Sequence, residues 1–309
     1  MSGADVVVVG AGPAGCAAAV QCRRLGLSVL LLEESGEVGG LACNAQRIEN
    51  YPGLAPLSGP EFAARLAAHL SRFEVTPRRE RVETLQICEE GFSLRGTTAD
   101  LGARAVIVAT GTRPRRLTIP GAAELEGRGL YYEYRHLQAL PIRSELVIVI
   151  GGGEAACDYA LSLASAGARV RLLIRGRQLR VRGHLFERVM AQEGIECLRE
   201  AAPVALDREG RQLQVTLADS RRLRAVAILA AVGRFSAAVD LVPSFQPADG
   251  TGIGGGNQGL FVVGDARRGR LGQVGIAVGD GLAAAMDAAR LLEGTAADRA
   301  PHMGRLEGV

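Results

Sequence analysis

The 309-residue sequence lacks paired cysteines. Its six cysteines occur singly, with no CxxC motif and no spacing typical of zinc ligands, and a chain of this length does not depend on disulfide bonds. We therefore expect reduced thiols and no metal site. The cysteines are Cys16, Cys22, Cys43, Cys88, Cys157 and Cys197.

An excess of one charge and long apolar runs are also missing. The net charge is only +3 and the arginines are interleaved with acidic residues, so there is no basic stripe of the kind that marks a nucleic-acid-binding protein. No apolar run reaches the roughly 20 residues that span a bilayer, and "MSGADVVVVG" has no basic segment before its apolar residues. The sequence predicts a soluble, cytoplasmic protein that binds neither nucleic acid nor membranes.

The composition is that of a globular protein. Apolar residues make up 48% of the chain and charged residues 22%, and the length suits two domains that each bury a core. The 41 glycines exceed the average share of about 7% and cluster at turns, which indicates loops that approach ligands closely.

The N-terminal stretch "DVVVVGAGPAGCAAAVQCRRLGLSVLLLEE" is typical of a βαβ unit that binds a dinucleotide. Gly10 permits a tight turn, Gly12 lets the backbone approach a pyrophosphate, and Gly15 lets the helix pack on the strand. The helix N-terminus adds amide donors and the positive end of its dipole. Glu33 follows the second strand, where it is placed to accept a hydrogen bond from a ribose hydroxyl.

A second copy of this unit reads "ELVIVIGGGEAACDYALSLASAGARVRLLIRGRQLR" and aligns with the first at a constant offset, which predicts a second nucleotide site. Ile174 replaces Glu33, and Arg175, Arg177 and Arg180 follow. Without an acid to repel a 2′-phosphate, and with guanidinium groups to bind it, the second site favours NADP over NAD. The alternative is that these arginines only form a solvated strand end.

The C-terminal "GLFVVGDARRGRLGQVGIAVGDGLAAAMDAARLL" predicts a strand, a short basic loop and a long helix that begins near Gln273. The N-terminus of such a helix would stabilise negative charge on a reduced flavin. "VIVATGTRP", residues 106–114, predicts another strand that ends in a turn of small residues.

Together these motifs resemble the low-molecular-weight thioredoxin reductase family over nearly the whole chain. The resemblance rests on "GAGPAG", "IENYPG", "VATG", "GRG", "GGGEAA" and "GDARRGRLGQVGIAVGDG". It implies an α/β fold of two Rossmann-like three-layer domains, in which an NAD(P)H domain interrupts an FAD domain. The implied boundaries are 1–115 and 244–295 for FAD, 116–243 for NAD(P)H, and 296–309 for a tail. It also implies a homodimer with FAD and NADPH, less readily NADH, as cofactors.

The resemblance also implies the residues that contact each cofactor. The FAD contacts are Gly10, Gly12, Pro13, Ala14, Gly15, Glu33, Gly40, Asn50, Gly111, Asp265, Gln273 and Val274. The NADPH contacts are Gly151, Gly153, Glu154, Ala155, Arg175 and Arg180.

The chain departs from the family pattern just after "GRG". Alignment there places Glu133 and His136 on the two redox cysteines and Leu137 on the neighbouring acid. A carboxylate and an imidazole form no mixed disulfide, so conventional thioredoxin reduction is excluded. The family's basic "HRR" element is reduced to "IRG", which weakens NADP specificity, and Gly272 replaces an arginine usual before "QV". The stretch "LYYEYRHLQAL" also resembles the ferredoxin/flavodoxin–NADP reductases of this fold, which likewise lack the dithiol.

Three residues are candidates for catalysis, each with a structural alternative. His136 would donate a proton beside a flavin, or would be a surface histidine. Cys43 would act as a single nucleophile, or would be a small buried hydrophobe. Tyr134, like its neighbours Tyr131 and Tyr132, would stack on a cofactor ring, or would pack where the domains cross over.

The sequence therefore predicts an FAD-dependent NAD(P)H oxidoreductase that passes hydride from NADPH to FAD and electrons on to a ferredoxin, a flavodoxin or a small molecule. One alternative is a flavoprotein with a degenerate nucleotide site that is reduced by a protein or thiol partner. Another is a flavin-binding sensor without turnover.

Overall fold

A computed structural model of the chain describes residues 3–242, 254–256 and 259–299, with side chains at all of these except 254–256, 270 and 294–299. The remaining residues of the predicted 244–295 segment and of the predicted tail lie outside the described residues. No helix in the described ranges combines the length and the apolar character needed to cross a bilayer.

The described residues form strands and α-helices with the following bounds. The strands are β1 Gly3–Val9, β2 Val29–Glu33, β3 Arg78–Arg79, β4 Val82–Cys88, β5 Gly91–Gly96, β6 Asp100–Val108, β7 Thr112–Pro114, β8 Leu130–Tyr131, β9 Leu146–Ile150, β10 Arg169–Ile174, β11 Ile195–Arg199, β12 Pro203–Glu209, β13 Gln212–Leu217, β14 Arg222–Ala225, β15 Ala227–Ala230, β16 Arg234–Ser236, β17 Gly254–Gly256 and β18 Leu260–Val262. The helices are α1 Pro13–Arg24, α2 Gly59–Arg72, α3 Ala122–Leu125, α4 Glu154–Ser165, α5 Gly183–Ala191, α6 Asp265–Arg268 and α7 Val274–Arg299.

The first domain is built on a sheet of order β17-β18-β6-β1-β2-β3, with β4 and β5 joined to it through β6. β1 pairs in parallel with β2 and β6, and β18 pairs in parallel with β6. Helices α1 and α7 pack on one face around a core that includes Val6, Val8 and Ala284. Elements from the N-terminal and the C-terminal parts of the described chain therefore both contribute to this domain, as the resemblance implies.

The second domain has a parallel sheet of order β11-β10-β9-β15-β8, with α4 on one face and the antiparallel β12-β13-β14 sheet packed on the other. Between the domains, β7 pairs antiparallel with β16 where the chain passes from one domain to the other and back. The predicted fold class, an FAD domain interrupted by a second Rossmann-like domain, is confirmed, whereas the precise boundaries stay predictions.

Two local features differ from the sequence-based expectation. Residues 265–271 form the short helix α6 and a 3-10 turn rather than an open loop. Helix α7 starts at Val274, close to the expected position, but runs to Arg299 and so extends into the predicted tail.

Candidate functional site

A cavity of about 1090 Å³ opens at the carboxyl ends of β1, β2, β6 and β18. In parallel α/β sheets this edge is where ligands bind. The volume lies slightly above the roughly 300–1,000 Å³ found for ligand pockets, which suits a molecule as large as a dinucleotide. The cavity also reaches the second domain, where Glu133 and His136 form part of its wall.

The first glycine turn has the conformation that its sequence predicts. Gly10 has φ of +107°, which favours glycine, and a side chain on Gly15 would overlap the Gly10 carbonyl oxygen. Gly12 precedes α1 in an extended conformation, and Pro13 opens the helix. The α1 amides therefore point towards the cavity at a turn where the glycine backbone carries no side chains.

Glu33 lies at the end of β2 and lines the cavity. Its Oε2 accepts a hydrogen bond from the Ala11 amide at 2.8 Å, and its Oε1 accepts from the amide and hydroxyl of Ser35 at 3.1 and 2.9 Å. The carboxylate thus fixes the glycine turn and remains at the cavity edge, where a ribose hydroxyl would donate to it.

Polar groups deeper in the cavity fit a bound FAD. The Thr110 hydroxyl is buried and has no hydrogen-bond partner in the described residues. Burial raises the pKa of the Asp265 carboxyl, an effect that the Arg234 charge partly offsets. Since buried polar groups are normally hydrogen-bonded, the Thr110 hydroxyl and the Asp265 carboxyl are suited to hydrogen bonds with the polar groups of a bound dinucleotide.

The predicted FAD contacts fall into two groups. Ten line the cavity, namely Gly10, Gly12, Pro13, Ala14, Glu33, Gly40, Gly111, Asp265, Gln273 and Val274. Gly15 and Asn50 do not: Gly15 is buried behind the turn, and the exposed Asn50 Nδ2 donates to Gln273 Oε1 at 2.7 Å. Their contacts with FAD stay predictions.

The second glycine turn repeats the geometry of the first. Gly151 has φ of +151°, and α4 begins at Glu154. The Arg180 amide donates to the Gly152 carbonyl at 2.7 Å, and the Arg180 guanidinium lies 3.8 Å from where a Gly153 Cβ would be. With exposed Arg175 just past β10, the turn carries positive charge suited to a nucleotide phosphate. This turn does not line the large cavity.

Glu133 is buried where four segments of the chain meet, and it is only 6% exposed. Its Oε1 accepts from Arg234 Nη1 at 2.7 Å, and its Oε2 accepts from Asn44 Nδ2 and the Tyr159 hydroxyl, each at 3.0 Å. Burial, followed by the Glu133 charge, raises the pKa of Tyr159, which therefore remains a donor. The residue that the resemblance aligns with the family's first redox cysteine is thus an ion-paired anchor.

The three catalytic candidates occupy different surroundings. His136 is exposed and lines the cavity, as does half-buried Cys43, and burial raises the pKa of the Cys43 thiol. Tyr134 does not line the cavity, and its ring stacks on Tyr159 with a centroid distance of 6.4 Å. A raised pKa disfavours the reactive thiolate of Cys43. The catalytic roles of all three stay predictions.

Sequence reasoning missed Asn44, Tyr159 and Arg234. Each is remote in sequence from Glu133, and none belongs to a motif with a fixed spacing. Their only signal is spatial, because the contacts form once the two domains are in place.

Comparisons with known proteins agree with this architecture. The pyridine nucleotide-disulphide oxidoreductase family matches residues 4–281. The thioredoxin reductase of Treponema pallidum is 32% identical, with 94% of this chain and 97% of that protein covered, and that of Bacillus subtilis is 28% identical, with 94% and 95% covered. A crystal structure of Lactococcus lactis thioredoxin reductase superposes with a TM-score of 0.84 at 28% identity, covering 94% of this chain and 99% of that one.

The family match covers most of the chain, and both glycine turns fit the nucleotides that such proteins use. The protein is thus a thioredoxin reductase-like flavoprotein with FAD and NADPH as cofactors, and the chain belongs to the pyridine nucleotide-disulphide oxidoreductase family.

Proposed function

We propose that this protein is an FAD-dependent NAD(P)H oxidoreductase that delivers electrons to an acceptor outside the chain, without a redox dithiol of its own. The observation that supports this proposal is the number of thiols that line the cavity. All six cysteines lie in the described part of the chain and are free, and Cys43 alone among them lines the cavity. A single thiol has no second thiol with which to form an internal disulfide.

The chain's own residues would bind and orient the cofactors. When bound, FAD supplies the redox chemistry by accepting hydride from the nicotinamide and releasing electrons to an acceptor. The amides at the start of α1 would hold its pyrophosphate, and Glu33 its ribose. The turn at Gly153, with Arg175 and Arg180, would hold NADPH. A Glu133–Arg234 ion pair lies in the cavity wall, at the position that the resemblance aligns with the family's first cysteine.

Anaerobic stopped-flow mixing of the FAD-loaded protein with NADPH tests the proposal. We expect the visible absorbance of the flavin to fall, and to recover when an acceptor is added. A Cys43→Ser variant should behave like the wild type. A flavin that stays oxidised at saturating NADPH, or a Cys43→Ser variant that is reduced but never reoxidised by the acceptor, would contradict the proposal.

A homodimer is also part of the proposal. Gly275, Gly279, Leu282 and Met286 share one exposed face of α7, and Leu282 and Met286 are 37% and 42% exposed. An apolar helix face on which glycines allow close approach suits a second copy of the chain. Sedimentation velocity should give a dimer for the wild type and a monomer for Met286→Glu. A monomeric wild type would refute this part.

A further inference from the structure

The turn on the cavity wall, residues 133–137, is anchored from both domains. The Glu133 carboxylate is held by Arg234, Asn44 and Tyr159, as described above. The Arg135 amide donates to Asn44 Oδ1 at 3.1 Å, and the fully buried Leu137 fixes the far end of the turn in the core of the second domain. The backbone of the turn is therefore rigid, with the exposed Arg135 and His136 side chains on its cavity side.

Arg135 differs from the other arginines that line the cavity. Four of them form ion pairs: Arg81 with Glu34, Arg113 with Asp240, Arg116 with Glu126, and Arg234 with Glu133. The guanidinium of Arg135 has no carboxylate partner and no side-chain hydrogen bond in the described residues, and the same holds for the imidazole of His136. Two sets of donors thus face the cavity without an acceptor among the residues that the structure describes.

The charge of Arg135 is not cancelled by Glu133, two residues before it, because Arg234 already neutralises Glu133. The Arg135 charge also acts on groups inside the cavity. The Arg135 charge lowers the pKa of Cys43 against the larger effect of burial, while exposed Glu37, another lining residue, acts in the opposite sense. The wall between Cys43 and His136 is therefore a place where an anion gains a charge-assisted hydrogen bond.

We propose that Arg135, with His136 as a second donor, binds the carboxylate of a small organic electron acceptor. The planar guanidinium matches a carboxylate with two parallel hydrogen bonds, and the anchored turn supplies this geometry without ordering a loop. This inference names the acceptor class for the proposed function and rests on it. Because Arg135 lines a cavity, the inference commits to a carboxylate-bearing small molecule as the acceptor.

Binding of simple probes to the oxidised, FAD-loaded protein tests the inference without turnover. Benzoate and its neutral analogue benzamide are titrated at fixed low ionic strength, and Kd is measured by calorimetry and by the change in the flavin spectrum. We expect benzoate to bind at least about tenfold more tightly than benzamide, since a hydrogen bond to a charged group is stronger than one to a neutral group. In Arg135→Gln this preference should disappear, with benzamide binding unchanged, and Arg135→Lys should keep part of it.

Arg81→Gln is the matched control, because Arg81 lines the same cavity but is paired with Glu34. It should retain the benzoate preference. Flavin content and melting temperature establish that each variant is folded. Equal binding of the two probes by the wild type, no binding of either, or an Arg135→Gln variant that keeps the preference would each overturn the inference. NADPH bleaching of the same samples separates this result from failure of the proposed function.

Discussion

Glu80 shows how a single buried carboxylate stabilises the rim of the cavity. It is 3% exposed and accepts hydrogen bonds from the Thr98 and Thr97 hydroxyls and from the Thr98 amide, and Arg78 lies 3.3 Å away. The Thr98 and then the Thr97 hydroxyl lower the pKa of Glu80 to about 2. Because the folded-state pKa is depressed, the stabilisation is present at neutral pH and is lost as pH falls from about 4.5 towards about 2.

We therefore expect Glu80→Gln to unfold at lower urea than the wild type at pH 7, with the difference shrinking as pH drops below about 4.5. Urea titrations followed by circular dichroism at several pH values measure this. Exposed Glu89→Gln is the control and should change little at any pH. A Glu80→Gln deficit that does not depend on pH would show that the loss comes from packing rather than charge.

Substitution of Arg175, at the second glycine turn, tests whether the protein prefers NADPH or NADH. The side chain is exposed just past β10, whereas nearby Arg177 is engaged with Glu200 at 3.2 Å. We expect Arg175→Gln to weaken NADPH binding by about tenfold and NADH binding much less, since the 2′-phosphate loses a charge-assisted bond. Calorimetric titration of both nucleotides measures this, and Arg211→Gln, an exposed change in the turn between β12 and β13, is the control. Equal weakening for NADPH and NADH would assign Arg175 a structural role.

Individual residues of the site were predictable only where local sequence determines their position. Glu33 could be placed because a fixed number of residues separates it from its glycine turn. Glu133 could be placed by alignment, but its partners Asn44, Tyr159 and Arg234 come from three other segments. No periodicity or spacing connects these residues, so their contacts emerge only from the folded structure.

At the level of elements, the two βαβ units were predictable because strand, turn and helix lie within a short, continuous stretch. The structure explains one difference between the copies. A side chain on Gly15 would overlap the Gly10 carbonyl oxygen, whereas the second unit has Ala156, fully buried, at the matching position. Helix and turn are therefore packed more tightly in the first unit, where the cavity lies.

We expect Gly15→Ala to destabilise the first domain by about 1–3 kcal/mol, the usual cost of overpacking, and to lower the FAD content of the purified protein. Flavin absorbance per chain and thermal unfolding measure both effects. Ala156→Gly is the matched change in the second unit, and it should cost at most about 1 kcal/mol and leave FAD content unchanged. Full FAD occupancy in a stable Gly15→Ala protein would contradict the proposed role of the turn.

At the scale of the whole molecule, contacts between polar groups join the two domains. The relative orientation of the domains could not be predicted from the sequence. Asn44 contacts Glu133 and Arg135, and the segment that follows it contacts α4 and α5. Interfaces of this polar kind within a chain commonly permit relative motion of domains. The second glycine turn lies outside the large cavity in this arrangement of the domains. The contacts that Asn44 and the segment after it make between the domains therefore influence the distance between the two nucleotide sites.

Gln46 is the residue through which this contact is best tested. Its amide donates to Asp158 Oδ2 at 3.0 Å, its side-chain Nε2 donates to Ser165 Oγ at 2.8 Å, and its Oε1 accepts from Arg188 Nη2. Gln46→Ala keeps the backbone hydrogen bond and removes both side-chain hydrogen bonds. It therefore weakens the contact between the domains and leaves both hydrophobic cores intact. We expect faster amide hydrogen exchange in residues 44–49 and 158–165, with a melting temperature close to that of the wild type.

The Gln21→Ala change at a half-buried position on α1, within the first domain, should leave exchange at these segments unaltered, because the Gln21 side chain is hydrogen-bonded to nearby Arg24. If Gln46→Ala left exchange at both segments as slow as in the wild type, the side-chain bonds would not hold the domains together. The Glu133–Asn44 bond would then be the stronger connection, and Asn44→Ala should produce the faster exchange instead. Since Asn44 also fixes the Arg135 amide, that variant should weaken benzoate binding as well, which links the orientation of the domains to the geometry of the acceptor wall.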